Sequence, residues 1–172
     1  MRPVVVPYRP EWRDQFRAEA ERITEALGTD LVALAHVGST SVPGLAAKPV
    51  IDILVGLRSR EPRPEVVAAL RALGYRPRHR IGRRYFRKGV PVTHVLHAVE
   101  YAAAEWHAKL AFRDYLRMDH EAAAAYAQRK LALAAAETRG GYSRGKARFM
   151  RELETSIAYQ QFVSEQARSP SL

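Results

Sequence analysis

The chain has 172 residues, 47% of them hydrophobic and 27% charged, enough for one domain with a substantial core. It contains no cysteine, which excludes disulfides, thiol nucleophiles and cysteine-containing zinc sites. A formal charge of +10 points to an anionic partner, whether a nucleotide, a nucleic acid or an acidic surface, and charge alone does not choose among them.

The first residues, Met1-Arg2-Pro3-Val4-Val5-Val6-Pro7-Tyr8, hold only a short valine run, too short for a signal peptide. No run approaches the length of a membrane span, so the expectation is a soluble cytoplasmic protein. Pro7-Tyr8-Arg9-Pro10 reads as an extended lead-in. From Glu11 the apolar positions Trp12, Phe16, Ile23 and Leu27 recur at helical spacing until Gly28 closes the pattern, which predicts an amphipathic helix with its aromatic residues in the core.

Leu31 to Val37 reads as a buried strand, Gly38-Ser39-Thr40 as a turn with free backbone N–H groups, and Val50 to Val55 as a second strand carrying one acid. A lone Asp in an apolar run is costly to bury. Asp52 is therefore either a carboxylate aimed into a site beside a loop able to hold phosphate, or a residue that caps a turn.

A polar link from Gly56 to Pro64 precedes a short helix outlined by Val66, Val67, Leu70 and Leu73 and stopped by Gly74. Arg76 to Lys88 then contains seven basic residues and no acid, interleaved with Tyr85 and Phe86. Three readings compete for it: single-stranded nucleic acid held by charge and stacking, a strand whose arginines reach a bound triphosphate, or a solvated strand that protects a sheet edge. Val90 to Val99 reads as the next strand, and the spacing of His94 and His97 puts them on opposite faces, a poor arrangement for joint metal ligands.

The remainder is helical. Trp106, Leu110 and Arg113 to Leu116 share one helix, Met118 to Glu121 breaks it with Asp119 as the cap of the next, and Gly140-Gly141 ends that one. Tyr142 to Val163 reads as the last helix, and Ser164 to Leu172 as a frayed tail beyond a single domain over residues 1–163. Tyr126 and Lys130 stand four apart, as do Tyr142 and Lys146, so each pair shares a helix face. These pairs are surface decoration or the lining of an anion pocket. No repeat period or heptad array is present.

The wording Gly38-Ser39-Thr40-Ser41-Val42-Pro43-Gly44-Leu45-Ala46-Ala47-Lys48-Pro49 resembles the GrpB family, a branch of the nucleotidyltransferase superfamily related in fold to polymerase beta. The superfamily signature is Gly, then Gly or Ser, about a dozen residues, and an Asp-apolar-acid strand. Gly38-Ser39, twelve intervening residues and Asp52-Ile53 fit it, while Leu54 stands where the second acid would be. Tyr85 to Gly89, Leu96-His97, Phe112 to Leu116 and both Tyr-Lys pairs also resemble the family, so the likeness runs from Tyr8 to about Phe162. It implies an α/β (α+β) fold, a nucleotidyltransferase-like mixed β-sheet flanked by helices with a C-terminal helical segment.

The resemblance further implies a nucleoside triphosphate passing a nucleotidyl group to an unidentified small-molecule acceptor. Asp52 and His97 would be catalytic, with Asp52 on Mg²⁺ or Mn²⁺; Gly38, Ser39, Thr40, Lys48, Arg84, Arg87, Arg113, Tyr126, Lys130, Tyr142 and Lys146 would hold the nucleotide. Glu100, at the end of its strand, is a further candidate acid. Leu54 keeps open a member that binds a nucleotide or another anion without turnover. An ATP-using ligase built on the same pocket is a third reading, and nucleic acid binding a fourth.

Overall fold

Trp12, Ile23 and Leu27 lie buried along one stripe of α1 (Glu11–Leu27), and Gly28, at φ +49°, follows its last turn. The computed structural model describes residues 4–80, 83–136 and 139–168, with the side chains of residues 79, 80, 83, 84, 139, 157 and 168 outside the description. The apolar runs become β1 (Leu31–Val37) and β2 (Ile51–Leu57), antiparallel partners joined through a tight Ser39–Ser41 turn and an extended loop. That loop is stitched to the lead-in by paired backbone bonds between Val6 and Ala47.

The helix α2 (Pro64–Ala72) begins with proline at its first position and buries Val66 and Leu70. The basic segment forms a pair of strands, β3 (Arg76–Arg80) and β4 (Arg83–Lys88), and β5 (His94–Glu100) follows. The sheet order is β1-β2-β5-β4-β3, with β2 and β5 parallel and every other neighbour antiparallel. Pro77 lies in the outermost strand, where a missing amide leaves no gap in the ladder.

Alternation along β2 divides the molecule. Ile51, Ile53, Val55 and Leu57 point to the face covered by α1 and α2, where they pack with Trp12, Ile23, Leu70, Phe86 and Leu96. The opposite face carries Asp52 and Leu54 and is covered by the C-terminal helices α3 (Ala104–Met118), α4 (His120–Ala136) and α5 (Arg139–Glu154), with α6 (Ile157–Arg168) packed on α3 and α5. Val42 and Leu45 of the loop dock into a second core with Phe112, Tyr115, Tyr126 and Phe162, which fixes these helices against the loop.

Three features differ from the helices expected of the sequence. The stretch read as one helix from Tyr142 is two, because Thr155 Oγ bonds back to the Arg151 and Glu152 carbonyls and Ser156 Oγ accepts the Tyr159 amide, ending α5 and capping α6. Gly140-Gly141 lies in the first turn of α5 rather than ending the helix before it. The helix α6 also continues through residues 164–168, anchored by buried Phe162, where a frayed tail was expected.

Candidate functional site

In register, Asp52 and Leu54 of β2 lie beside Val95 and His97 of β5, which lie beside Arg87 and Tyr85 of β4, all on the face toward the C-terminal helices. At one end that face is closed: Leu54 is fully buried in a cluster with Val37, Val99 and Trp106. At the other end it opens into a cavity of about 560 Å³. The sheet forms its floor, and residues of the Ser39–Val50 loop, α4 and α5 contribute its walls.

Asp52 sits on that floor with its carboxylate 27% exposed, and His97 Nε2 lies 3.3 Å from its Oδ1. Burial opposes ionisation of Asp52. The hydrogen bond from His97 and the charges of His97, Lys146 and Lys109 outweigh that, so its carboxyl is held below the usual carboxylate range. The chain passes over this carboxylate at Gly38, where an added Cβ would stand 2.5 Å from Asp52 Oδ2 and where φ is +71°. Both the contact and the dihedral demand glycine.

The loop beyond Gly38 is braced from below. His36 stacks on Phe16 at 4.6 Å between centroids, and its Nε2 lies 3.0 Å from Thr40 Oγ, which donates to the Val50 carbonyl. That donation commits the hydroxyl proton, so His36 Nε2 is the donor to Thr40. Burial, with the charges of Arg117 and Arg113, outweighs the pull of Asp52 and brings the His36 pKa down to about 4. From α3, Arg113 donates to the His36 carbonyl and Arg117 to the Ser41 carbonyl, clamping the turn from the other side.

Around Asp52 the cavity is lined by cations. Lys48 Nζ lies 3.5 Å above the centre of the Tyr142 ring, and Arg87 approaches the Tyr85 ring at 5.2 Å. Lys130 is 1% exposed; its Nζ donates to the Ala46 carbonyl at 2.5 Å and lies 4.5 Å from the Tyr126 ring centre. Burial and neighbouring Lys146 push its pKa down to about 7. Lys146 shifts upward, chiefly through the Tyr126 oxygen and then Asp52 and Tyr142, against the effect of burial. With Lys109 of α3, five lysine and arginine side chains meet one carboxylate in this cavity, an arrangement suited to a polyanion.

Of the residues singled out from sequence, Ser39, Thr40, Lys48, Asp52, Arg87, His97, Lys130, Tyr142 and Lys146 line the cavity together. Gly38 backs Asp52, and Tyr126 lies buried beneath Lys130. Arg113 does not line it; its guanidinium is taken by Asp114 and the His36 carbonyl. Glu100 is exposed at the end of β5 and does not line it either. The side chain of Arg84 lies outside the described residues. Lys109 and Ser143 were not anticipated, and Tyr85 only as an aromatic of the basic segment; Lys109 stands one helical turn after the core residue Trp106, the one local signal that it borders the covered face. Among the described residues no three His, Cys, Asp or Glu side chains gather as a metal centre, and no helix is long and apolar enough to cross a membrane.

The family described as GrpB protein matches residues 2–156. The UPF0157 protein PA4798 of Pseudomonas aeruginosa is 41% identical over 152 residues, spanning 83% of this chain and 62% of that protein. The UPF0157 protein YqkA of Bacillus subtilis is 39% identical over 135 residues, 76% of this chain and 39% of its own length, so the chain spans less than two thirds of the length of either relative. The crystal structure of conserved protein GrpB from Enterococcus faecalis superposes with TM-score 0.79 and 33% identity, covering 94% of this chain and 98% of that one. The Cid1 poly(U) polymerase in its MgGTP-bound crystal structure aligns with TM-score 0.50 at 18% identity over 75% of this chain and 46% of its own, a likeness of nucleotidyltransferase fold.

Proposed function

The chain belongs to the GrpB family and has a nucleotidyltransferase-like fold, and from that premise we propose that its cavity binds the phosphate chain of a nucleoside triphosphate and transfers a nucleotidyl group to a small-molecule acceptor. The observation that carries this reading is the gathering of Lys48, Arg87, Lys109, Lys130 and Lys146 around Asp52. Such a site offsets polyphosphate charge and repels cationic ligands.

Magnesium is commonly held by one or two carboxylates together with substrate phosphates. Asp52 offers one carboxylate and Leu54 is core, so the donor set fits a single ion shared with phosphate oxygens and does not fit a pair. Mg²⁺ or Mn²⁺ held by Asp52 would supply charge neutralisation at the reacting phosphate. The remaining work falls to this chain's own groups. The lysines and Ser39 hold the phosphate oxygens, and the Ser39–Ser41 turn spends the amides of Ser41 and Val42 on itself, not those of Ser39 and Thr40. The His97 imidazole, steadied by Asp52, accepts the proton of an acceptor hydroxyl as its oxygen bonds to the α-phosphorus and pyrophosphate leaves.

Thermal melting against ATP, GTP, CTP and UTP, each with Mg²⁺ and with chelator, tests this. A nucleotide at a hundred times its dissociation constant should stabilise the protein by about 2.7 kcal/mol. The Asp52→Asn variant should lose the part that depends on metal. No stabilisation by any nucleotide under either condition overturns the reading. Leu54, packed in the core where a second carboxylate would complete a metal pair, favours a second reading of binding without turnover; pyrophosphate release from bound nucleotide separates the two.

A further inference from the structure

Lys130 stands apart from the other cations of the cavity. It projects from α4, is almost wholly buried, and spends its described hydrogen bond on a neutral acceptor, the Ala46 carbonyl. The titratable and charged groups around it are Tyr126 of its own helix, Tyr142 and Lys146 of α5, and Lys48 of the loop; Asp52 of β2, His97 of β5, Tyr85 and Arg87 of β4 and Lys109 of α3 line the rest of the cavity. The charge that acts most on Lys130 is that of another cation, Lys146, whereas Asp52 acts on Lys146. A buried amine beside a like charge favours its neutral form, in keeping with a pKa near 7.

We propose that Lys130 makes the cavity a proton-linked polyphosphate receptor: above neutral pH its amine is mostly uncharged when the cavity is empty and takes up a proton from solvent as a phosphate chain enters, so that affinity falls as pH rises. This rests on the polyphosphate reading of the cavity and adds its regulation. The sign follows from linkage. Phosphate oxygens stabilise the ammonium form, so the loaded protein binds more protons than the empty one wherever the free amine has already lost its own.

The test is calorimetric titration with inorganic triphosphate, and in parallel with ATP, in two buffers of different ionisation heat at pH 8. The expected result is uptake of about 0.9 proton per ligand by the wild type, with affinity falling by up to tenfold per pH unit between pH 7.5 and 9. The Lys130→Arg variant keeps its charge throughout, so it should bind with no such uptake and with affinity nearly flat over that range. Lys130→Met should bind weakly and also lack uptake, which covers the case in which arginine does not fit. Binding by the wild type without proton uptake overturns the proposal and leaves the polyphosphate reading standing. Uptake that persists in both variants belongs to another group, such as His97, and overturns it equally. Failure of both probes to bind overturns the proposal together with the reading beneath it.

Discussion

Asp52 is usable only because of what does not stand next to it. Gly38 has no Cβ to press on the carboxylate, and Leu54 turns the adjacent position of the same face into core. Two glycines of the loop allow the first point to be isolated. Gly38 and Gly44 both have positive φ, +71° and +78°, but an added Cβ at Gly44 meets nothing within 4 Å, while at Gly38 it meets Asp52. Gly44→Ala should therefore show the dihedral strain alone, on the order of 1 kcal/mol, and retain nucleotide binding. Gly38→Ala should lose more stability, about 2–3 kcal/mol, and should lose binding with it, because the carboxylate has to move. Chemical denaturation and nucleotide titration of the two variants check this; equal behaviour would remove Gly38 from the site.

At the level of elements, the arginines of β4 and α3 look alike in the sequence and do different things in the fold. Arg87 faces the cavity from the sheet floor, whereas Arg113 ties α3 to the His36 carbonyl of β1. Arg87→Ala should weaken nucleotide affinity by about 1–3 kcal/mol with little change in folding stability. Arg113→Ala should do the reverse, lowering the melting temperature while titration finds affinity close to wild type. The contrast marks where sequence reading stops. The strand, turn and strand around Asp52, the helix α1 and the end of α2 at Gly74 were legible because hydrophobic period, glycine and proline are local signals. The break between α5 and α6 was not, since it depends on Thr155 and Ser156 hydroxyl bonds within a stretch whose helical pattern continues. Within the site, the motif pointed to Asp52 and the loop, and the Tyr-Lys spacing to Lys130 and Lys146. For Lys109 the local signal is slight, its place one helical turn after the core residue Trp106; that it lines the cavity wall depends on how α3 docks on the sheet.

Across the whole molecule, the groups that shape the site also set how stability responds to pH. His36 is buried with its pKa lowered to about 4, so its neutral form belongs to the folded state; the stability it supports is present above its ordinary value of 6.5 and is lost as pH falls from there toward 4. Lys130 has the same sign at higher pH. Its pKa drops from 10.5 to about 7 on folding, so the unfolded chain binds the extra proton between those values and stability rises with pH across that window. Lys146, shifted upward, contributes in the opposite sense only above its ordinary value of 10.5. A buried amine of this kind is a burden on folding at pH 7, on the order of 4 kcal/mol, set against the anion-holding role proposed for it. Lys130→Met should therefore be more stable than wild type at pH 7, by an amount smaller than that limit because the Ala46 carbonyl loses its donor, and the advantage should shrink as pH approaches 10. Arg129→Met removes a full positive charge from an exposed position on the same helix, so that variant sets an upper bound on relief of general repulsion. Urea denaturation of the three proteins at pH 7 and pH 9.5 decides it. A Lys130→Met protein less stable than wild type at pH 7, or one whose advantage is matched by Arg129→Met, would mean that Lys130 is charged and well accommodated in the folded protein.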